Sequence, residues 1–335
     1  MRAWRHANAF DDDELVVVVL PVAGASSQLW WKAAGRSVAA GTSRPLAPIH
    51  PDAVRSGDPS LTQTLVGALP GGWRPDAVVV FRSYMAPVGL TLARRLHCSR
   101  TVLDLDDDDV AVLESLGSPE APAFERLVRS VAPQFSAVTL ASQGEADSVV
   151  ARYGLTNIAV VPNGVDVPDT PLDYGDSSRT VAMVGNFTYA PNLRGAAFLR
   201  DAVWPQLTAI LEEPCALRLV GPGIGELDDL EPIYRAAAVM AVPLLEGGGT
   251  RLKVLEAWAL GRPVVSTTVG VRGLGVVPGR EALVADEPAA FARALADVLA
   301  EPQLALALVE AGRRAVQAHR AERVEAALRA AVFAP

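Results

Sequence analysis

The sequence predicts an α/β protein made of two doubly wound, parallel-sheet domains. Three observations predict it. Short β-branched and aliphatic runs recur along the 335 residues with helix-forming stretches between them, the alternation that builds a parallel sheet covered by helices. The runs are apolar throughout rather than every second residue, as strands buried on both faces must be. A segment rich in Pro, Asp, Gly and Ser, "VPNGVDVPDTPLDYGDSSR" at 161–179, lacks helical periodicity and divides the chain into two parts of comparable size.

In chain order, "LVVVVLP" (15–21) is the first predicted strand and runs into a glycine turn near Gly24. "DAVVVF" (76–81), "RTVLDL" (100–105), "SAVTLAS" (136–142) and "NIAVVP" (157–162) follow. The second part repeats the opening, with "RTVAMVG" (179–185) running into Gly185, then "CALRLVG" (215–221), "AAVMAVPL" (237–244) and "RPVVST" (262–267). The intervals mostly supply the dozen or more residues a parallel crossover needs. From about Pro302 the chain is rich in Ala, Arg and Glu and reads as one or two helices with an apolar stripe. The expected domains are 1–168 and 169–316, with a last helix in 317–335.

Composition narrows the function. A net charge of −8 argues against a general nucleic-acid binder, which needs a basic face to neutralise phosphates. It leaves room for one basic pocket. No run of 18 or more uncharged apolar residues is present, and the polar start "MRAWRHANAFDDDE" does not look like a signal peptide. Cys98 and Cys215 form no C-x-x-C, so neither a disulfide framework nor a zinc knuckle is indicated, and a cytoplasmic setting is expected. Only Lys32 and Lys253 are lysine; every other basic residue is arginine. Against that background, a lysine suggests a need for a compact ammonium.

The stretch "EGGGTRLKVLEAWALGRPVVST" (246–267) carries the most chemistry. Gly247, Gly248 and Gly249 lead into Thr250, a good N-cap. A helix is predicted from about Arg251 to Leu260, with Gly261 as its stop. Val254 with Trp258 and Leu255 with Ala259 are i,i+4 pairs that face a core. Lys253 and Glu256, three apart, share a face. Bare backbone ahead of a helix lets a ligand approach closely, and the unpaired N–H groups and dipole favour an anion. A diphosphate suits that end, with Arg251 or Lys253 as its cations, and Glu256 could accept from a sugar diol. The alternative is an ordinary β-to-α turn with a surface Lys253–Glu256 pair. The stretch is neither a G-x-x-x-x-G-K-[ST] loop nor a G-x-G-x-x-G turn.

"VVPNGVD", "AMVGNFTYAPNLRGAAFL", "PLLEGGGTRLKVLEAWALGRPVVSTTVGVRGL" and "ALVADEPAAFARAL" occur in that order. Together they resemble the C-terminal half of GT-B glycosyltransferases of family 4, in the short sugar-transferase branch with G-T-R-x-K-x-x-E-A. "VVFRSYMAP", "VLDLDDDDVAVLE" and "ASQGEAD" resemble that branch's first half more loosely. The resemblance implies two Rossmann-like domains facing a cleft, with the donor in the second, the acceptor mainly in the first, and the last helix returning to the first. It implies a retaining transferase that uses a nucleoside diphosphate sugar, needs no metal or cofactor, and acts on a sugar, lipid-linked or small natural-product acceptor. A peripheral membrane contact fits, and the oligomeric state stays open. Glu256 corresponds to the ribose-binding carboxylate. Gly185–Asn186 and Gly247–Thr250, with Leu252, would flank the diphosphate and sugar. Arg251, Lys253 and Asp106 are the candidate catalytic residues. Gly24, Arg82, Ser83 and Asp107 are the candidate acceptor-side residues. A non-catalytic partner subunit and a sugar-nucleotide epimerase of the same fold remain as alternatives.

The chain departs from the family pattern in three places. The family's first Glu would fall at Gly248, and Glu246 is out of register with it. "GNFTYAPN" lacks the family's Arg and Lys, so neutralisation leans on Arg251 and Lys253. "LVGPGIGELDDLEPIYRAA" is short of a strand and helix. In "LDLDDDDV" (103–110), Asp104 and Asp106 have D-x-D spacing that can chelate a metal; a face on the ligand crevice or a solvated helix start compete with that. His6, His50, His97 and His319 fall in no matching motif. Asn163 and Asp166 are expected to shape the Asn-Gly turn.

Overall fold

Residues 62–63, 66–67, 74–224, 229–248 and 251–333 are described by the computed structural model. The expected strand at 15–21, Gly24, Lys32, His6, His50, Gly249 and Thr250 lie outside the described residues. The chain divides into one unit of Met1–Gly164 with Ala321–Pro335, and a second of Val165–Arg320.

In the first unit, β1 (Val78–Phe81), β2 (Thr101–Asp106), β3 (Ala137–Leu140) and β4 (Ile158–Val160) lie in the order β1-β2-β3-β4, every pair parallel. All six residues of β2 are buried, which is why its Val102, Leu103 and Leu105 are apolar on both faces. The crossovers carry α1 (Ala86–Arg95), α2 (Asp109–Ser115), α3 (Ala121–Val131) and α4 (Gln143–Tyr153). Ser142 caps the start of α4: its Oγ accepts from the Glu145 N–H at 3.3 Å and donates to the Glu145 carboxylate at 3.0 Å. Gly154, at φ +67°, ends it. One core lies under Leu103, Leu105, Val138 and Leu140. A second forms where the last helix sets Val324, Leu328 and Val332 against Val102 and Val161.

In the second unit, β5 (Thr180–Val184), β6 (Ala216–Val220), β7 (Val239–Val242), β8 (Val264–Ser266) and β9 (Leu283–Val284) form a parallel sheet in the order β6-β5-β7-β8-β9. The two-residue β9 is an addition to the strands expected from sequence. Between β5 and β6, α5 (Ala190–Ala197) passes through a π-helical stretch, Phe198–Val203, into α6 (Trp204–Ile210). Gly221–Leu230, with 225–228 outside the description, leads from β6 to α7 (Glu231–Ala236). Then come α8 (Leu252–Ala259), α9 (Pro288–Ala300) and α10 (Pro302–Ala315), while α11 (Ala321–Phe333) is the last helix and belongs to the first unit.

The end of α8 shows how locally the fold is written. Gly261, at φ +71°, lets its N–H reach the Trp258 carbonyl at 3.2 Å and the Arg262 N–H reach Ala257 at 2.8 Å. This is the Schellman pairing that only a left-handed residue after the cap permits. The expected pairs Val254–Trp258 and Leu255–Ala259 are all buried. The helix starts at Leu252, one residue later than expected. Arg251 occupies the cap position without a side-chain capping bond, which corrects the assignment of that role to Thr250. Among the described residues no helix is long and apolar enough to cross a membrane.

The turns after β5 and β6 are joined by backbone bonds. The Gly185 N–H donates to the Val220 carbonyl at 3.1 Å and the Phe187 N–H to Pro222 at 2.7 Å. A Cβ on Gly221, at φ +139°, would stand 1.9 Å from the Gly185 carbonyl oxygen. Gly221→Ala is therefore expected to combine a left-handed strain of about 1–3 kcal/mol with a backbone clash. A thermal melt followed by circular dichroism should show a midpoint lower by several degrees.

Candidate functional site

Two groups of polar residues stand at the C-terminal ends of the two sheets, the edge where open parallel sheets take ligands. In the second unit, Gly185 follows the end of β5. The Asn186 side chain accepts from the Thr188 N–H at 2.9 Å and the Thr188 hydroxyl at 2.6 Å, an Asx turn that bends the chain into α5. From the first turn of α5, the buried Asn192 donates Nδ2 to the Asn186 carbonyl at 2.8 Å. Its Oδ1 accepts from the Lys253 ammonium at 2.6 Å. A Cβ on Gly185 would stand 3.3 Å from both that amide and Nζ of Lys253. The structure thus brings Gly185, Asn186 and Lys253 together through a residue that sequence reasoning missed. A Pro-Asn pair opening a helix was its signal, and only the fold shows what it touches.

Burial lowers the Lys253 pKa to about 8; the Arg251 guanidinium adds to the shift and Glu256 opposes it. One turn on, Glu256 accepts from the Tyr234 hydroxyl at 3.1 Å. Burial first, and then Glu256, push that phenol well above its ordinary value, so it is a stable donor. Lys253 and Glu256 thus each have a partner on a neighbouring helix, which sets them apart from a solvated surface pair.

Arg251 is buried and donates to three backbone carbonyls: Nε to Val269 at 3.0 Å, Nη1 to Gly248 at 2.5 Å and Nη2 to Gly247 at 2.7 Å. Those bonds hold the glycine corner in place. Gly247 has φ +96°, and a Cβ there would meet the Tyr189 hydroxyl at 3.3 Å and Pro191 at 3.4 Å. Glu246 forms an ion pair with Arg194. Leu252 is half-buried and packs against the core beneath α8.

In the first unit, Arg82 follows β1 at φ +75° and Asp106 ends β2 at φ +65°, where the β2–β3 register shifts. Arg82 pairs with Asp106 at 3.1 Å, Asp107 at 3.4 Å and Asp109 at 3.0 Å. Burial lowers the Arg82 pKa, but the three carboxylates outweigh it and raise the net value. Ser83 donates to Asp109 at 2.7 Å. Burial raises the Asp109 carboxyl, against the pull of Arg82 and Ser83. Asp104 is buried and accepts from Thr139 at 2.8 Å. Asp108 caps α2, taking the Val110 and Ala111 N–H groups at 3.1 Å each. Asn163, expected only to shape a turn, is buried and donates to Asp106 at 3.3 Å. The acidic run is thus divided among a helix cap, a strand-end bond and one arginine. Among the described residues no three His, Cys, Asp or Glu are grouped to hold a metal. His97 is exposed, and His319 lends its carbonyl to the Val165 N–H at 2.9 Å.

Comparison with known proteins places the chain. The family description "Glycosyl transferase 4-like domain" matches residues 2–164, and "Glycosyl transferases group 1" matches residues 178–301. The chain belongs to the group 1, family 4-like glycosyltransferases. It is 31% identical over 218 residues to a D-inositol 3-phosphate glycosyltransferase of Salinispora arenicola, covering 51% of this chain and 48% of that one. It is 31% identical over 248 residues to one from Mycolicibacterium vanbaalenii, covering 61% and 54%. The chain thus spans about half the length of these curated relatives. Among solved structures, a glycosyltransferase from Rickettsia africae aligns with TM-score 0.64 at 13% identity, over 96% of this chain and 91% of that one. Sucrose-phosphate synthase from Thermosynechococcus elongatus aligns with TM-score 0.63 at 20% identity, over 85% and 79%. The Anabaena protein Alr3699/HepE, in complex with UDP and glucose, aligns with TM-score 0.60 at 14% identity, over 82% and 80%. The fold of this family 4-like transferase is GT-B.

Two variants test how the site is held. Arg251→Ala leaves the Gly247, Gly248 and Val269 carbonyls without their donor and should cost about 1–3 kcal/mol in a denaturant titration. Arg251→Lys should not restore it, because an ammonium cannot span three carbonyls. Arg82→Leu removes the counter-charge of three carboxylates, at a cost of about 3 kcal/mol near neutral pH. Without Arg82 the Asp109 carboxyl, already raised by burial, rises further above its unfolded value. The folded state then binds the extra proton, so stability falls as pH climbs through that window. Denaturation at pH 5 and pH 7.5 should show a smaller deficit at the lower pH.

Proposed function

We propose that this glycosyltransferase moves a sugar from a nucleoside diphosphate sugar to an acceptor hydroxyl, with retention of configuration and without a metal ion. The donor site is assigned to the second unit. The observation that carries the reading is the Lys253 ammonium set beside Gly185 at the end of β5, with Glu256 one turn further along the same helix.

As the glycosidic bond breaks, the leaving diphosphate gains charge. A cation and backbone N–H groups already aimed at that position stabilise the charge where it develops, without reorganising. Lys253 supplies the cation. Arg251 acts one step removed, as a positioning residue that fixes the glycine corner through its carbonyls. Glu256, oriented by Tyr234, accepts from the ribose diol. The acceptor hydroxyl attacks on the face the diphosphate leaves, and the departing phosphate takes its proton. The acceptor is assigned to the first unit, at the strand ends bearing Arg82, Ser83, Asp106 and Asp107. A sugar, a lipid-linked sugar and a small natural product all fit.

The Anabaena neighbour in complex with UDP and glucose makes UDP the first nucleotide to test. A panel of nucleotide sugars should raise the thermal midpoint with one base and sugar above the rest. With that donor, Lys253→Ala and Glu256→Ala should each lower nucleotide release and sugar transfer by about 100-fold or more, the scale of losing one transition-state contact. Wild-type rates in both variants would overturn the assignment. Nucleotide binding with no turnover for any acceptor would make the chain a non-catalytic partner. Nucleotide release that needs no acceptor would point to an epimerase.

A further inference from the structure

The family's usual basic residues after the first donor-domain strand are missing here, and in their neighbourhood stands a neutral carboxamide. We propose that Asn192 is a positioning residue for the donor diphosphate, aligning the Lys253 ammonium at the Gly185 turn without cancelling its charge. The proposal rests on the donor-site reading above.

The orientation of Asn192 follows from its bonds. Its one donor group is committed to the Asn186 carbonyl at 2.8 Å, so its one acceptor must face the other way. There it meets Lys253 at 2.6 Å. The side chain is buried, which holds this geometry against solvent exchange. An ammonium has three donors, and Asn192 takes one, which sets the direction of the other two. The Gly185 backbone lies beside both groups, and its missing side chain leaves that space open, since a Cβ would stand 3.3 Å from Nζ and 3.3 Å from the Asn192 amide. An aspartate at 192 would align Lys253 equally well but neutralise it. A leucine would leave a buried amine without an acceptor, a costly state. Asparagine meets both demands. The charged groups acting on Lys253 are Arg251 and Glu256 on its own chain segment, while α5 presents the uncharged Asn192. The same carboxamide tethers the Asn186 turn, so the cation and the strand-end backbone are held in register by one side chain.

The test compares UDP with uridine, which lacks the phosphates. Wild type, Asn192→Ala, Asn192→Asp, Lys253→Ala and the Asn192→Ala/Lys253→Ala double variant are titrated calorimetrically with UDP from pH 7 to 9.5, and with uridine by competition. Asn192→Ala should weaken UDP about tenfold and leave uridine unchanged. In the Lys253→Ala background the same change should have little further effect. Wild-type affinity for UDP should decline as the ammonium loses its proton. In Asn192→Asp, which keeps the shape and so guards against misfolding of the alanine variant, that decline should move to higher pH, because a carboxylate holds the proton on Lys253. Equal losses for UDP and uridine would mean a merely structural residue and overturn the proposal. So would an unchanged UDP affinity in Asn192→Ala while Lys253→Ala loses it. If wild type binds none of UDP, GDP or ADP, the donor-site reading fails and takes the proposal with it.

Discussion

Parallel pairing of β5 with β7 is the constraint on which the candidate donor site depends. Parallel strands end on the same edge of the sheet, so the turn after β5 and the glycine corner after β7 emerge as neighbours. Helix α8 leaves that corner and carries Lys253 and Glu256 on one face. Helix α5 leaves the other turn and brings Asn192 against them. A site assembled this way needs no long loops. Its parts are placed by strand register and by the first turn of each following helix.

The two cations of the motif divide the work. Arginine, with a planar fork of donors, suits several fixed carbonyls at once. Arg251 is used in that way, buried under the corner it braces. Lysine, a compact point charge, sits at the turn and is depressed by its surroundings to about 8. In the first unit one arginine gathers three carboxylates, and both Arg82 and Asp106 hold backbone at positive φ, which is uncommon outside glycine. Such conformations persist only where the surroundings over-determine them. The surrounding ion pairs and the Asn163 bond do so here.

Most of the strand framework was legible because its strands are buried on both faces, and a run such as "TVAMV" has no other place to go. Strand β9 was not, since two residues carry no period. The Gly261 stop was legible because left-handed backbone selects glycine. The glycine corner, Lys253 and Glu256 stood out through their residue types and spacing. What they touch did not. That Arg251 turns inward depends on where the Gly247, Gly248 and Val269 carbonyls point, and Val269 is 18 residues away in sequence. Asn192 is 61 residues from Lys253, and Tyr234 is 22 from Glu256. Bonds between elements rest on tertiary placement, which a local pattern cannot encode. The partners of the acidic run were hidden for the same reason. Its five aspartates look alike in sequence, yet three gather on Arg82 while Asp104 bonds Thr139 and Asp108 caps α2.

The first unit is discontinuous, since α11 joins it only after the whole of Val165–Arg320 has been traversed. Closing so large a loop would tax its assembly, although the entropic toll grows only with the logarithm of length. The bond between the Val165 N–H and the His319 carbonyl, 2.9 Å, draws the two ends of the intervening segment together. Once residues 165–320 have condensed, residues 164 and 321 are already neighbours. The final helix then closes onto Val102 and Val161 as though over a short connection. The topology thereby spares the discontinuous unit a long closure, since the inserted segment's own ends are held side by side.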